Sequence, residues 1–262
     1  MPSNHPIGVF DSGVGGLSVL REIRRQLPHE HVIYVADSAH APYGDKSQEF
    51  ITTRSLAISK HLIQQQAKAI VVACNTATGA GVKFLRSTFD IPIIAMEPAI
   101  KPAAEKTQSG VVGVLATSRT IASENFNRLY SRFGSDIEII AQACPGLVEQ
   151  VESGDLTGVK TRTLLEKYLL PLLDKQVDTL VLGCTHYPFL SELIQDIVGP
   201  TVTIIDPAPA IAKEVRRRLV DLDLLAEQAS TGSEYFWSSG SPSQALPVLT
   251  QLWQAPIEVH QL

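Results

Sequence analysis

Twice along its 262 residues the chain runs an apolar segment into a cysteine and then straight into hydrogen-bonding side chains: "AIVVACNTATG" from Ala69 and "TLVLGCTHYPF" from Thr179. Short runs of this kind, rich in β-branched residues, alternate with longer stretches of helical period. That is the pattern of an α/β protein with largely parallel strands, because parallel strands are covered on both faces and are joined by helical crossovers. The periodicity predicts strands over Ile7–Phe10, Val32–Val35, Ile70–Ala73, Ile91–Ala95, Val111–Leu115, Glu138–Ala141, Leu180–Leu182 and Val202–Ile205. In the helical segment "GGLSVLREIRRQLP", Leu17, Leu20, Ile23 and Leu27 share one face, Arg21, Arg24 and Arg25 lie off it, and Pro28 ends it.

The chain also matches itself when slid by 105 to 110 positions. "IGVFDSG" from Ile7 falls over "VGVLATS" from Val112, "VIYVA" from Val32 over "IEIIA" from Ile137, and "VVACNTA" from Val71 over "VLGCTHY" from Val181, while "EPAI" from Glu97 lies near "DPAPAI" from Asp206. Strand patterns alone would be shared by any two α/β halves, but matched strand-ending cysteines are not a property of strands. The expectation is an α/β protein of two similar doubly wound (flavodoxin-like) parallel-sheet domains, related by pseudo-twofold symmetry, with the active site in the cleft between them. Residues 1–98 together with 208–262 are expected to form the first domain and 99–207 the second. The tail is expected to cross back to the first half through the helical "AIAKEVRRRLVDLDLL" and a polar, irregular "STGSEYFWSSGSPSQ".

At 44% hydrophobic residues the chain can bury a sizeable core, and a net charge of −5 gives no basic footprint for nucleic acid or anionic lipid. A small-molecule partner is the default. No positively charged start precedes an apolar stretch at the N-terminus, and no uncharged run is long enough to span a bilayer, so a cytoplasmic protein is expected. Three scattered cysteines, Cys74, Cys144 and Cys184, are then free thiols rather than a disulfide framework. No CxxC or HExxH occurs, and Cys184 with His186 cannot alone complete a tetrahedral site, so no metal is expected. "DSGVGG" lacks the spacing of a dinucleotide fingerprint and is not followed by GK[ST].

Ligands of open parallel sheets bind beyond the carboxyl ends of the strands, where Cys74, Cys184, Asp11 and Ser12 fall. A thiol between a strand and a helix N-terminus meets unpaired N–H groups that can bring its pKa from about 8.5 toward roughly 7, and the same groups can hold carboxylates. A single thiol would suggest a nucleophile with a histidine base beside it. Two thiols in mirrored positions suggest proton removal from one face of a carbon and return to the other. With each sulfur about 3 to 3.5 Å from a central carbon, the pair would stand roughly 6 to 7 Å apart, beyond disulfide reach.

"FDSGVGGLSV" from Phe10, "ADSAHAPYGDKS" from Ala36, "VVACNTATG" from Val71, "ACPGLVEQVESG" from Ala143 and "LGCTHYPFL" from Leu182, in that order, resemble the glutamate racemases of the cofactor-independent aspartate/glutamate racemase family. The resemblance runs from Ile7 to about Ala210. It implies two α/β domains, no cofactor, and interconversion of L- and D-glutamate that supplies D-glutamate for peptidoglycan, often by a homodimer. It further implies that Cys74 takes the proton from D-glutamate and Cys184 from L-glutamate. The pairs Asp11–Ser12, Tyr43–Gly44, Asn75–Thr76 and Thr185–His186 match the family's substrate-binding residues.

Asp11 could equally cap the following helix, and its mirror position is Ala116, so only the resemblance places it beside Cys74. Glu152 and His186 resemble the family's polar residues on the Cys184 side. Glu149, three residues from Glu152, remains an alternative. Thr120 is a further candidate ligand contact, Arg119 beside it is left open, and Cys144, outside the mirrored pattern, is assigned to packing. The alternatives are an aspartate racemase or another two-cysteine racemase, and a non-enzymatic amino-acid binding protein.

Overall fold

The structure, a computed structural model, describes residues 4–133, 137–227 and 231–262. The first half begins with β1 (Ile7–Asp11), α1 (Leu17–Gln26), β2 (Val32–Ala36), α2 (Gln48–Gln64), β3 (Ala69–Val72), α3 (Asn75–Thr88) and β4 (Ile93–Ala95). The chain then crosses over to α4 (Ile100–Lys106), β5 (Val111–Ala116), α5 (Ser118–Ile121), α6 (Glu124–Phe133), β6 (Glu138–Ala143), α7 (Leu147–Glu152), α8 (Val159–Leu173), β7 (Thr179–Leu182), α9 (Ser191–Val198) and β8 (Thr203–Ile205). It returns through α10 (Ala208–Asp221), β9 (Glu234–Ser238), α11 (Pro242–Trp253) and β10 (Val259–Gln261).

Two parallel sheets result, one ordered β10-β9-β2-β1-β3-β4 and the other β6-β5-β7-β8. The run β2-β1-β3-β4 has the same order as β6-β5-β7-β8, so the repeat in the sequence is a repeat of topology. Register fixes its offsets. Val9 pairs with Val71 and Val114 with Val181, which preserves the 105 and 110 spacings. Ile7 pairs with Val32 but Val112 with Ile139, so Val32 corresponds to Ile139 and not to Ile137. A slip of two residues leaves every side chain on its own face of the strand, and the hydrophobic pattern cannot detect it.

The eight expected strands all form. The stretch after residue 230 is not irregular: β9 and β10 extend the first sheet in parallel beyond β2, while Ser230 itself lies outside the described residues. α10 packs on α1, whose Leu17, Leu20 and Ile23 are fully buried. Glu30, buried at the end of the α1–β2 loop, accepts from the Ala226 amide at 2.8 Å and pairs with Lys68 at 2.5 Å, anchoring the returning segment to the first half. One apolar cluster runs through both halves, joining Val14 and Leu17 to Leu147, Leu169 and Leu182. Among the described residues no helix is long and apolar enough to cross a membrane.

Candidate active site

The carboxyl ends of β1, β3 and β7 face one another across the junction of the halves. Cys74 leaves β3 in extended conformation (φ −147°, ψ 117°) as the residue capping α3, so the thiol stands against that helix's first turn. Its Sγ lies 3.8 Å from Ser12 Oγ. Cys184, at the equivalent end of β7, has its Sγ 3.7 Å from His186 Nδ1. The thiols are both nearly buried, at 4% and 7% exposure, and border one small cavity.

The surroundings of the two thiols differ. Asp11, at the end of β1, accepts from Ser12 N at 2.6 Å and Ser12 Oγ at 3.2 Å, and its other oxygen accepts from Thr185 Oγ1 of the second half at 3.0 Å. On the other side Glu152, ending α7, bonds His186 Nε2 at 2.6 Å through Oε1, which also accepts the Val14 amide of the first half at 2.9 Å. Glu149 is exposed on the same short helix, so Glu152 is the carboxylate that meets the histidine.

Electrostatics follow from burial. Burial raises the Asp11 carboxyl above its ordinary range, although the charge of His186 opposes it. Burial also pushes the Cys74 thiol well up, and the Asp11 carboxylate adds to this, against the lowering by the Ala77 amide in α3. The helix N-terminus therefore does not by itself bring Cys74 into the thiolate range in this closed arrangement, because desolvation outweighs it. Burial lowers His186, but its bonds to Cys184 and Glu152 prevail and hold the imidazole well above its usual pKa.

The loop after β2 supplies Tyr43 and Gly44. Tyr43 is buried with its hydroxyl donating to Asp37, which also receives Arg54 Nε at 3.0 Å and Nη2 at 2.8 Å and His40 Nδ1 at 2.9 Å. Burial raises the Asp37 pKa, but the Arg54 and Tyr43 bonds overcome this and keep the carboxylate ionised. Asn75 faces the cavity at 5% exposure, and neither its Oδ1 nor its Nδ2 has a hydrogen-bond partner. An orphaned buried amide is costly, and a ligand with a carboxylate or ammonium would satisfy it. Thr76 Oγ1 reaches Thr117 Oγ1 at 2.9 Å and Thr120 Oγ1 at 3.3 Å across the halves.

Of the expected site residues, Ser12, Tyr43, Gly44, Cys74, Asn75, Thr76, Cys184, Thr185 and His186 line the cavity. Asp11, Glu152 and Thr120 stand one layer behind it. Arg119 points elsewhere, donating to Lys46 O at 2.6 Å beside a groove of about 550 Å³ between α3 and α6 that contains neither thiol. Cys144 is buried against Gln142 O at 3.4 Å and burial pushes its thiol up to about 12, which suits packing. Among the described residues no three His, Cys, Asp or Glu side chains converge as metal ligands.

Sequence reasoning missed Pro42, Thr117 and Val148, which also line the cavity. Thr117 was within reach, since it is the repeat mate of Ser12 at an offset of 105. The glycines of "DSGVGG" were missed too: a Cβ on Gly13 would lie 1.8 Å from Glu152 Oε1, and one on Gly15 would lie 2.3 Å from His186 Nδ1. They let the first half's loop close onto the second half's acid–imidazole pair.

A family model described as Asp/Glu/hydantoin racemase matches residues 7–215. A glutamate racemase of Methylococcus capsulatus is 53% identical over 260 residues, covering 99% of this chain and 96% of the relative. The crystal structure of a glutamate racemase isoform from Bacillus anthracis superposes with a TM-score of 0.91 at 34% identity, covering 99% of this chain and 98% of that one. That of the Francisella tularensis glutamate racemase in complex with D-glutamate has a TM-score of 0.85 at 32% identity, covering 99% and 97%.

Proposed function

The chain belongs to the Asp/Glu/hydantoin racemase family, and from the relatives that match it over nearly its whole length we infer that it is a glutamate racemase, an isomerase that interconverts L- and D-glutamate. We propose that the reaction runs by two bases. Cys184 removes the Cα proton of L-glutamate while Cys74 delivers one to the opposite face, and the roles exchange for D-glutamate. The observation that carries this is the pair of thiols at topologically equivalent strand ends bordering one cavity.

Each thiol must be deprotonated in one direction of the reaction. Glu152 and the raised pKa of His186 support a charged imidazole beside Cys184 that stabilises its thiolate. Asp11 is the group we assign to the Cys74 side, where its contacts with Ser12 support proton handling or a hold on the substrate ammonium. Ser12, Tyr43–Gly44, Asn75–Thr76, Thr120 and Thr185 are proposed to hold the substrate or the groups that touch it. No cofactor is invoked: the carbanion-like state is stabilised by a preorganised polar site.

The cavity between the thiols is about 10 Å³, room for about one water and far too little for an amino acid. Turnover therefore requires the halves to part and close again. We propose residues 1–98 with 208–262 and residues 99–207 as the moving domains, supported by the strand membership of the two sheets. A homodimer supplying D-glutamate for peptidoglycan in the cytoplasm completes the proposal, on the family resemblance. Incubation with L-glutamate and with L-aspartate, followed by chiral separation, tests the assignment. Racemisation of glutamate that is abolished by Cys74→Ser and by Cys184→Ser is expected, and turnover of aspartate alone would contradict it.

A further inference from the structure

One peptide unit of the first half is gripped from both sides. Its carbonyl, on Gly13, accepts from Tyr34 Oη at 2.6 Å, and its amide, on Val14, donates to Glu152 Oε1 at 2.9 Å. The same Oε1 bonds His186 Nε2 at 2.6 Å, and the other ring nitrogen lies 3.7 Å from Cys184 Sγ. Tyr34 sits in β2 with no exposed surface, its ring tilted against Phe236 at 6.3 Å, and it does not line the cavity.

A trans peptide is planar, with its C=O and N–H on opposite sides, so a hydroxyl that fixes the carbonyl also aims the amide. A donor on the carbonyl further polarises the unit and strengthens the N–H as a donor. The carboxylate can approach this peptide only because Gly13 has no side chain, since a Cβ there would fall 1.8 Å from Oε1. Burial keeps the Tyr34 hydroxyl protonated, so it remains a donor at every working pH.

We propose that Tyr34 is a positioning residue for Cys184: its buried hydroxyl in one half sets, through the Gly13–Val14 peptide, the Glu152–His186 pair that tunes the thiol of the other half. Tyr34 and Val14 belong to the first half, while Glu152, His186 and Cys184 belong to the second. The arrangement is thus complete only when the cleft is closed, and Cys184 is fully equipped only then. The proposal rests on the two-base reading.

Tyr34→Phe tests it, because the ring and its packing remain and only the donor is lost. The equilibrium constant of a racemisation is 1, so kcat/KM must fall equally from either enantiomer, by about tenfold for one lost hydrogen bond. The discriminating readout is the isotope effect on kcat/KM with glutamate deuterated at Cα. Weakening Cys184 makes its proton transfer more rate-limiting. The effect should rise for L-glutamate, where that transfer breaks the C–H bond, and fall for D-glutamate, where it comes second. Unchanged kinetics, or isotope effects that move together, would overturn the proposal. A fluorotyrosine at position 34, whose hydroxyl is the stronger donor to the Gly13 carbonyl while the ring is kept, should move the two isotope effects apart in the opposite sense and serves should the Phe variant not fold. Effects that do not move would overturn the proposal. A wild-type enzyme that labels both enantiomers equally early in deuterated water would instead remove the two-base reading itself.

Discussion

Alanine at Gly13 should separate activity from stability. The new Cβ would lie 1.8 Å from Glu152 Oε1, 2.6 Å from Cδ and 2.9 Å from Oε2. A relaxed carbon–oxygen contact is about 3.3 Å, so the carboxylate must retreat by about 1.5 Å. That takes Oε1 out of hydrogen-bond range of both Val14 N, now at 2.9 Å, and His186 Nε2, now at 2.6 Å. Gly13 does not use a positive φ, so its backbone accepts alanine, and the obstructing atoms are the far end of a flexible side chain with 19% exposure that water can partly satisfy. The net stability cost is then about 1–2 kcal/mol, a fall in Tm of about 3–6 °C for a chain of this size. Catalysis should lose far more, because misplacing an active group by about 1 Å costs on the order of 10²-fold. The assay is racemisation from each enantiomer beside a thermal melt, with Gly81→Ala as control, since its Cβ would meet nothing closer than Thr52 Oγ1 at 3.4 Å. Activity within twofold of wild type would refute the reasoning, as would a protein that no longer folds.

Thr117→Val removes one of the two hydroxyls that reach Thr76 across the halves, at 2.9 Å, and also the cap of α5, where Thr117 Oγ1 accepts the Thr120 amide at 3.1 Å. A roughly tenfold rise in KM by steady-state kinetics and a stability loss of about 1 kcal/mol by thermal melt are expected. Asp37→Asn leaves the half-buried Arg54 without its charge partner and weakens the tether on Tyr43; a loss of about 2–4 kcal/mol by urea unfolding and a raised KM should follow. Asp178 accepts from Thr107 Oγ1 at 2.6 Å and from the Gln108 and Ser109 amides at 2.7 Å. Burial raises its pKa, but these bonds more than offset that and hold it at about 2 against an ordinary 3.8. A depressed folded pKa stabilises above the unfolded value and is lost as pH falls toward the folded one. Asp178→Asn should therefore flatten the stability profile between about pH 4 and pH 2, by about 1 kcal/mol after solvent screening, as read by melts across that range.

The parallel-strand architecture and the doubled half were legible because apolar runs bounded by turns, and a repeat of both topology and chemistry, leave direct marks in sequence. The strand-ending thiols were legible for the same reason. β9 and β10 were not: "EYFWS" and "VHQ" are short, with Tyr235, Glu234 and Gln261 incompletely buried, and they join the sheet only because α10 carries the chain back onto α1. The Gly13 and Gly15 contacts were hidden because they depend on Glu152 and His186, 139 and 171 positions away, which no local pattern encodes. The direction of the Cys74 shift was misjudged since the helix N-terminus is visible in sequence but the depth of burial beside Asp11 is not.

The central claim, that two thiols on opposite sides of one carbon share the work, is tested most directly by racemisation in deuterated water. With L-glutamate as substrate, deuterium should appear first in D-glutamate while recovered L-glutamate still carries protium at Cα, and the reverse should hold starting from D-glutamate. Equal early labelling of both enantiomers, from either side, would contradict it.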